Sequence, residues 1–183
     1  SHRRQSLFNN LHKNYGGDLG LGVNPKIIKR INESDYIVLL GARLSENPSQ
    51  GFSLFGIPDH NKKIVHIHPG PEEIGRIYNP HLAIVANPIE FVSALENALR
   101  GLNTKPQEKM EVNANKAHED YIEWGDMPLE APNSGVDLTA AFRALREKLE
   151  PDTIITNGAG NYAVWGHRLF RFTKLRTQLA PIS

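Results

Sequence analysis

Lys63-Ile64-Val65-His66-Ile67-His68-Pro69-Gly70-Pro71-Glu72-Glu73-Ile74 changes secondary structure within one short stretch. Lys63 to Ile67 is β-type and nearly continuous in apolar character, as in a strand buried on both faces of a parallel sheet. His68-Pro69-Gly70 is turn chemistry. Pro71 to Ile74 then puts two acids in the first turn of a short helix, where the helix dipole favours them. Two further runs share the pattern: Tyr36-Ile37-Val38-Leu39-Leu40, closed by Gly41-Ala42-Arg43, and Leu82-Ala83-Ile84-Val85-Ala86, closed by Asn87-Pro88. Strands alternating with helices predict an α/β fold, a doubly wound parallel sheet.

The helices around these strands carry start signals. Asn24-Pro25 supplies an N-cap and a proline at the first helical position, and Ile27, Ile28 and Ile31 recur at helical spacing, predicting a helix from about 25 to 33. Asn87 and Pro88 start another, with Phe91, Val92, Leu95 and Leu99 on one stripe. Ahead of them, residues 1–22 read as loop with a short helix. From Gly101 to Gly135 the chain turns polar, broken by Pro106, Pro128 and Pro132, with Ala117, Tyr121 and Trp124 at helical spacing: a linker with one helix laid over a surface. Asp137 then caps a helix carrying Leu138, Phe142, Leu145 and Leu149. Pro151-Asp152 turns into a strand at 153–156, the opening of a second α/β domain.

Composition narrows the function. The chain has 183 residues, 39% hydrophobic and 22% charged, which excludes disordered and collagen-like classes. A formal charge of +1 provides no global field for nucleic acid or an anionic membrane, so neither is expected as a partner. The local exception is His167, Arg168, Arg171, Lys174 and Arg176, read either as a solvated helix face or as a phosphate-facing patch. With no cysteine there is no disulfide framework, thiol nucleophile or Cys-based zinc site. Apolar runs fall far short of the ~20 residues that span a bilayer, and no leader opens the sequence. A soluble, cytoplasmic protein is expected. Ser1-His2 resembles a tag scar and receives no functional weight.

Candidate chemistry gathers at turns. Gly16 to Gly22 lacks the order of either nucleotide-loop motif and reads as a flexible turn. Gly41, Arg43 and His68 fall at carboxyl ends of strands, the edge where doubly wound sheets bind ligands. There Arg43 either holds a phosphate or carboxylate through its planar fork or pairs with a neighbouring acid. His66 and His68 alternate by two and share one strand face; without a third ligand they read as packed or hydrogen-bonded histidines. Glu72 and Glu73 read as helix-start charges, and no nucleophile-elbow order is present. The strongest local pattern is Gly158-Ala159-Gly160-Asn161-Tyr162, following Thr153-Ile154-Ile155-Thr156-Asn157. Its small residues let backbone approach an anion, with Asn161 and Tyr162 offering donors. A structural turn with an aromatic packed beneath it would need the same glycines.

Together these stretches resemble the thiamine-diphosphate-dependent enzymes of the acetolactate synthase and benzoylformate decarboxylase type. Tyr15 to Gly22, Ile37-Val38-Leu39-Leu40-Gly41-Ala42-Arg43-Leu44, Lys63 to Ile67 and Glu73-Ile74-Gly75-Arg76 are similar to the central domain, which in that family is a six-stranded parallel sheet. Thr156 to Trp165 and Thr177-Gln178-Leu179-Ala180-Pro181 are similar to the first part of the diphosphate-binding domain. The implied division is a central domain over 1–101 lacking its first strand and helix, a linker over 102–135, and an incomplete diphosphate-binding domain over 136–183.

The resemblance implies cofactor-binding roles for Gly158, Gly160, Asn161 and Tyr162 toward thiamine diphosphate and for Arg43 toward FAD, while Gly41 and His68 are cofactor-binding candidates by their place at the strand ends. Family members often carry Gln-His where Asn161-Tyr162 stand. Arg43 matches an arginine that meets FAD in acetolactate synthases, whereas their acidic residues after the next strand stand here as His68 and Gly70. Gly17-Asp18 and Gly125-Asp126 are not followed by the glycine of the family's magnesium motif, so magnesium is expected in the parent enzyme and no metal or catalytic residue is assigned here. The implied parent acts on a 2-keto acid, by C–C bond formation or decarboxylation, as a homo-oligomer (dimer or tetramer). The fragment alone is expected to be inactive. The alternative is a stand-alone nucleotide-binding or regulatory α/β module using the edge around Gly41, Arg43 and His68.

Overall fold

A computed structural model describes residues 3–102 and 107–181. Ser1-His2 and the expected linker breaker Pro106 lie outside the described residues. The chain forms two compact units, one of Ile28–Gln107 and one of Ser1–Ile27 with Glu108–Ser183.

In the first of these, β1 (Tyr36–Leu40), β2 (Lys63–His68) and β3 (Leu82–Val85) form a parallel sheet in the order β1-β2-β3. Ile37 pairs with Ile64 and Leu40 with Ile67, while His66 and Ile67 face Ala83 and Ile84 on the other side. The mixed α/β class and parallel sheet agree with the sequence reading. Strand burial does not. Only β2 is covered on both faces, with Ile64 and Ile67 at 0% exposure on opposite sides. Tyr36, Val38 and Leu40, which share one face of β1, and Leu82 and Val85 on β3 are exposed, whereas Leu39 on the opposite face of β1 is buried; β1 and β3 are the sheet's edges.

Helix α1 (Pro25–Glu33) begins where Asn24 accepts the Lys26 N–H at 2.9 Å. Helix α2 (Pro88–Arg100) begins where Asn87 accepts the Ile89 N–H at 2.9 Å. On α2 the expected stripe leaves Val92, Leu95 and Leu99 exposed. No helix connects β1 to β2. Pro48, Gly51, Gly56 and Pro58 punctuate residues 41–62, which form turns with left-handed backbone at Leu44, Gln50 and Phe52.

Lys62 closes the end of α1: its buried ammonium donates to the carbonyls of Asn32 (2.8 Å) and Ser34 (2.9 Å). Lys62→Met retains an apolar stem of similar length but removes both bonds. It is expected to cost about 1–3 kcal/mol, the scale for a lost charge-assisted bond. Urea denaturation reads this directly, and an unchanged midpoint would show the carbonyls satisfied without the lysine.

The second unit contains a 3₁₀ turn at Gln5–Leu7, α3 (Glu108–Asp126), α4 (Leu138–Lys148), the two-residue strand β4 (Ile155–Thr156), α5 (Ala163–Leu169) and β5 (Gln178–Leu179). β4 and β5 pair in parallel. The strand expected at 153–156 shrinks to its last two residues because the Thr153 N–H turns back onto the Glu150 carbonyl and the paired register covers only Ile155 and Thr156. Asp137 caps α4, accepting from Thr139 and Ala140 at 2.9 and 3.0 Å.

Buried amides explain why the amino-terminal segment belongs to this unit. Asn10 exchanges bonds with Phe172: its Oδ1 accepts the Phe172 N–H at 2.9 Å and its own N–H donates to the Phe172 carbonyl at 2.8 Å. The Gln5 N–H donates to Gln178 Oε1 at 2.6 Å, and the Gln178 N–H to Ser6 Oγ at 3.2 Å. In the same unit Tyr15 and Tyr121 meet edge to face at 4.8 Å, and Leu169, Phe170 and Phe172 are buried.

The basic cluster is neither a solvated face nor a phosphate patch as a whole. Arg168 stacks 3.7 Å over Trp124 and donates to its carbonyl at 3.0 Å. Arg171 pairs with Asp126 at 2.7 Å, and Arg146 joins the same carboxylate at 3.0 Å. Partial burial works against the Asp126 charge, but the two arginines outweigh it and hold the carboxyl below its usual range.

Candidate functional site

The seven expected site residues fall into two groups, one in each unit. At the carboxyl end of the three-stranded sheet, Gly41 has φ 64, and a Cβ there would lie 2.7 Å from the Pro88 ring. This glycine is required by the start of α2. Arg43 pairs with Glu73 at 3.4 Å, and Arg76, which sequence reasoning did not single out, pairs with the same carboxylate at 3.5 Å. The three side chains, with Ser45 and Ile77, line a cavity of about 250 Å³. Two exposed guanidinium groups sharing one largely buried carboxylate leave excess positive charge at this edge. Glu73 is therefore an ion-pair partner, more than a helix-start charge.

His68 does not turn toward the arginines through hydrogen bonding: its Nδ1 accepts the Gly70 N–H at 3.1 Å. His66 is buried and bonds the Ala42 carbonyl through Nε2 at 3.0 Å. Among the described residues no group of three or more His, Asp or Glu side chains could hold a metal ion.

The glycine turn lies in the other unit, between β4 and α5, and the structure sends its two polar residues to different cavities. Asn161 lines a space of about 160 Å³ with Asn157, Gly158, Ala159 and Gly160. Tyr162 lines a separate apolar space of about 80 Å³ with Phe142, Ile155 and Phe172. The Tyr162 hydroxyl accepts the Gly158 N–H at 2.8 Å. A Cβ at Gly158 would come 2.7 Å from that hydroxyl, and one at Gly160 would come 2.6 Å from the ring. The aromatic packed on the turn accounts for both glycines, and it occupies one of the N–H groups an anion would use.

Buried His167 lines both spaces. Burial lowers its pKa, with Asp18 opposing and Arg3 adding to the decrease. His66 is lowered for the same first reason, modulated by its bond to Ala42, by His68 and by Glu73. In each case the unfolded chain takes up a proton near pH 6.5 that the folded chain resists, so acid favours unfolding. Stability is expected to decline as pH falls below about 6.5 and to keep falling until the folded pKa values are passed. Urea midpoints at pH 7.5 and 5.5 test this. His167→Gln should flatten part of the decline, and a flat profile for the unsubstituted chain would contradict the burial argument.

No helix among the described residues is long and apolar enough to cross a membrane. The family profile described as "Thiamine pyrophosphate enzyme, central domain" matches residues 1–95. Acetolactate synthase 1, chloroplastic, of Zea mays is 24% identical over 160 residues, which is 82% of this chain and 23% of that protein. The acetolactate synthase large subunit of Corynebacterium glutamicum is 26% identical over 179 residues, 92% of this chain and 26% of that protein. The chain thus spans about a quarter of the length of these curated relatives.

Proposed function

Because this chain belongs to the thiamine pyrophosphate enzymes by way of their central domain, we propose that it forms part of an enzyme that makes or breaks the C–C bond beside the carbonyl of a 2-keto acid. The names of the acetolactate synthase relatives support that reaction class, and the profile match over residues 1–95 is the observation that carries it. When bound, thiamine diphosphate supplies the electron sink for such chemistry; the protein binds and orients the reactants.

The glycine turn fits an anionic group in one respect: no acidic side chain among the described residues lines the space holding Asn157 and Asn161. Asn161 would contact the diphosphate there, with backbone of Gly158 and Gly160 close by. Tyr162 would take part only after releasing the Gly158 N–H. Magnesium binding is proposed for the parent enzyme and not for residues of this chain. The sequence-derived division into 1–101, 102–135 and 136–183 belongs to the same proposal, as do a homo-oligomeric parent, a cytoplasmic location, and inactivity of this chain by itself. Isothermal titration of the 183-residue chain with thiamine diphosphate and magnesium tests the reading. Weak binding with no turnover of pyruvate is expected; tight metal-dependent binding would overturn the view that the metal half lies elsewhere.

A second reading rests on Arg43 and Arg76. Their shared Glu73 leaves cationic capacity at the carboxyl edge, which favours a nucleotide or FAD phosphate there. Absorbance and mass spectra of the purified chain would reveal a retained flavin or nucleotide, and its loss in Arg43→Ala would place it at this edge.

A further inference from the structure

We propose that Arg3 is the counter-charge of an oxyanion-binding site at the glycine turn. The amino-terminal segment, stitched to the carboxyl-terminal one by Asn10, Gln5 and Gln178, brings Arg3 into the space of about 160 Å³ lined by Asn157, Gly158, Gly160, Asn161 and His167. Nothing in the sequence pattern links position 3 to positions 157–161; the buried amide ladder does. A single water needs about 10–15 Å³ of such space, so the cavity admits a group of roughly ten heavy atoms, the scale of a diphosphate.

Its lining has one sign. Arg3 contributes a full positive charge, Asn161 contributes an amide, the Asn157 amide already gives one N–H to the Gly158 carbonyl at 3.0 Å, and no carboxylate lines the space among the described residues. Asp18, which acts electrostatically on His167, uses its carboxylate oxygens on Gln5 Nε2 and on the Gly20 N–H. Burial and Arg3 both hold His167 toward its neutral form, so Arg3 remains the charged group of the cavity. A guanidinium beside amide donors in a half-enclosed space matches phosphate or carboxylate oxygens, which it can meet through two parallel N–H groups.

The inference deepens the diphosphate reading of the turn and rests on it. Inorganic pyrophosphate is the first probe and pyruvate the second, titrated into the unsubstituted chain, Arg3→Ala, Arg3→Lys and Arg4→Ala. Affinity is read by calorimetry and position by the ¹⁵N amide shifts of Gly158 and Gly160. Arg4 is exposed, lies next in sequence and does not line the cavity, so it controls for loss of charge alone. Arg3→Ala is expected to weaken pyrophosphate binding roughly ten- to hundredfold, Arg3→Lys to restore part of it, and Arg4→Ala to leave it near the original value. A loss confined to pyruvate would keep Arg3 as the counter-charge and identify the anion as a carboxylate. Equal weakening in Arg3→Ala and Arg4→Ala, or no weakening toward either anion in Arg3→Ala, would overturn the assignment while leaving the diphosphate reading standing. Absence of any binding to the unsubstituted chain would remove both.

Discussion

Gly41→Ala is expected to destabilise the three-stranded unit by about 2–5 kcal/mol. Two costs add. At φ 64 a residue with a Cβ sits in the left-handed region, at about 1–2 kcal/mol. The new methyl would also stand 2.7 Å from Pro88 Cγ, an overlap of the kind that costs about 1–3 kcal/mol in packed interiors. Pro88 is poorly placed to yield, because its ring fixes φ at the first position of α2 and Asn87 caps the same turn. Urea denaturation followed by far-ultraviolet circular dichroism measures the change, and a shift under about 0.5 kcal/mol would mean the β1 end relaxes freely. The outcome bears on function as well. Since the fold alone requires glycine here, weakened ligand binding by Gly41→Ala would say nothing about a ligand contact, whereas Arg43→Ala and Arg76→Ala remove charge without touching this turn.

Elements written in local chemistry were legible in the sequence. The caps at Asn24, Asn87 and Asp137 placed three helix starts correctly because each signal is complete within four residues of chain. The β-type runs at 36–40, 63–67 and 82–86 became the three parallel strands for a similar reason. Burial was not legible: an apolar run states what a strand tolerates, and only the sheet order shows that β1 and β3 are edges. Site geometry was the least legible. Arg76 shares Glu73 with Arg43 through a turn whose path no periodicity describes, and Arg3 reaches Asn161 through amides separated by most of the chain. The one available hint was Glu73-Ile74-Gly75-Arg76, where an acid and a base three apart follow a strand end. Likewise, the glycines at 158 and 160 admit both an anion and a packed aromatic, and only the folded turn reveals that Tyr162 lies against them.

A loss as large is expected from Ile67→Ala, about 2–5 kcal/mol, because the side chain is fully buried in the central strand between Leu40 and Ile84 in register. Truncation leaves a cavity that two neighbouring strands, tied by their ladders, cannot close by moving. Val38→Ala provides the contrast. Val38 lies on the sheet too, in register with Val65, yet is 62% exposed, and its truncation should stay within about 0.5 kcal/mol. The pair separates two accounts of the same apolar pattern. If β1 were covered on both faces, as its sequence invites, both substitutions would create cavities and cost similar amounts. With β1 at an edge, only the substitution in β2 does so. Denaturant midpoints for the two variants at equal protein concentration decide the question, and comparable losses would show that the outer face of β1 is covered in solution.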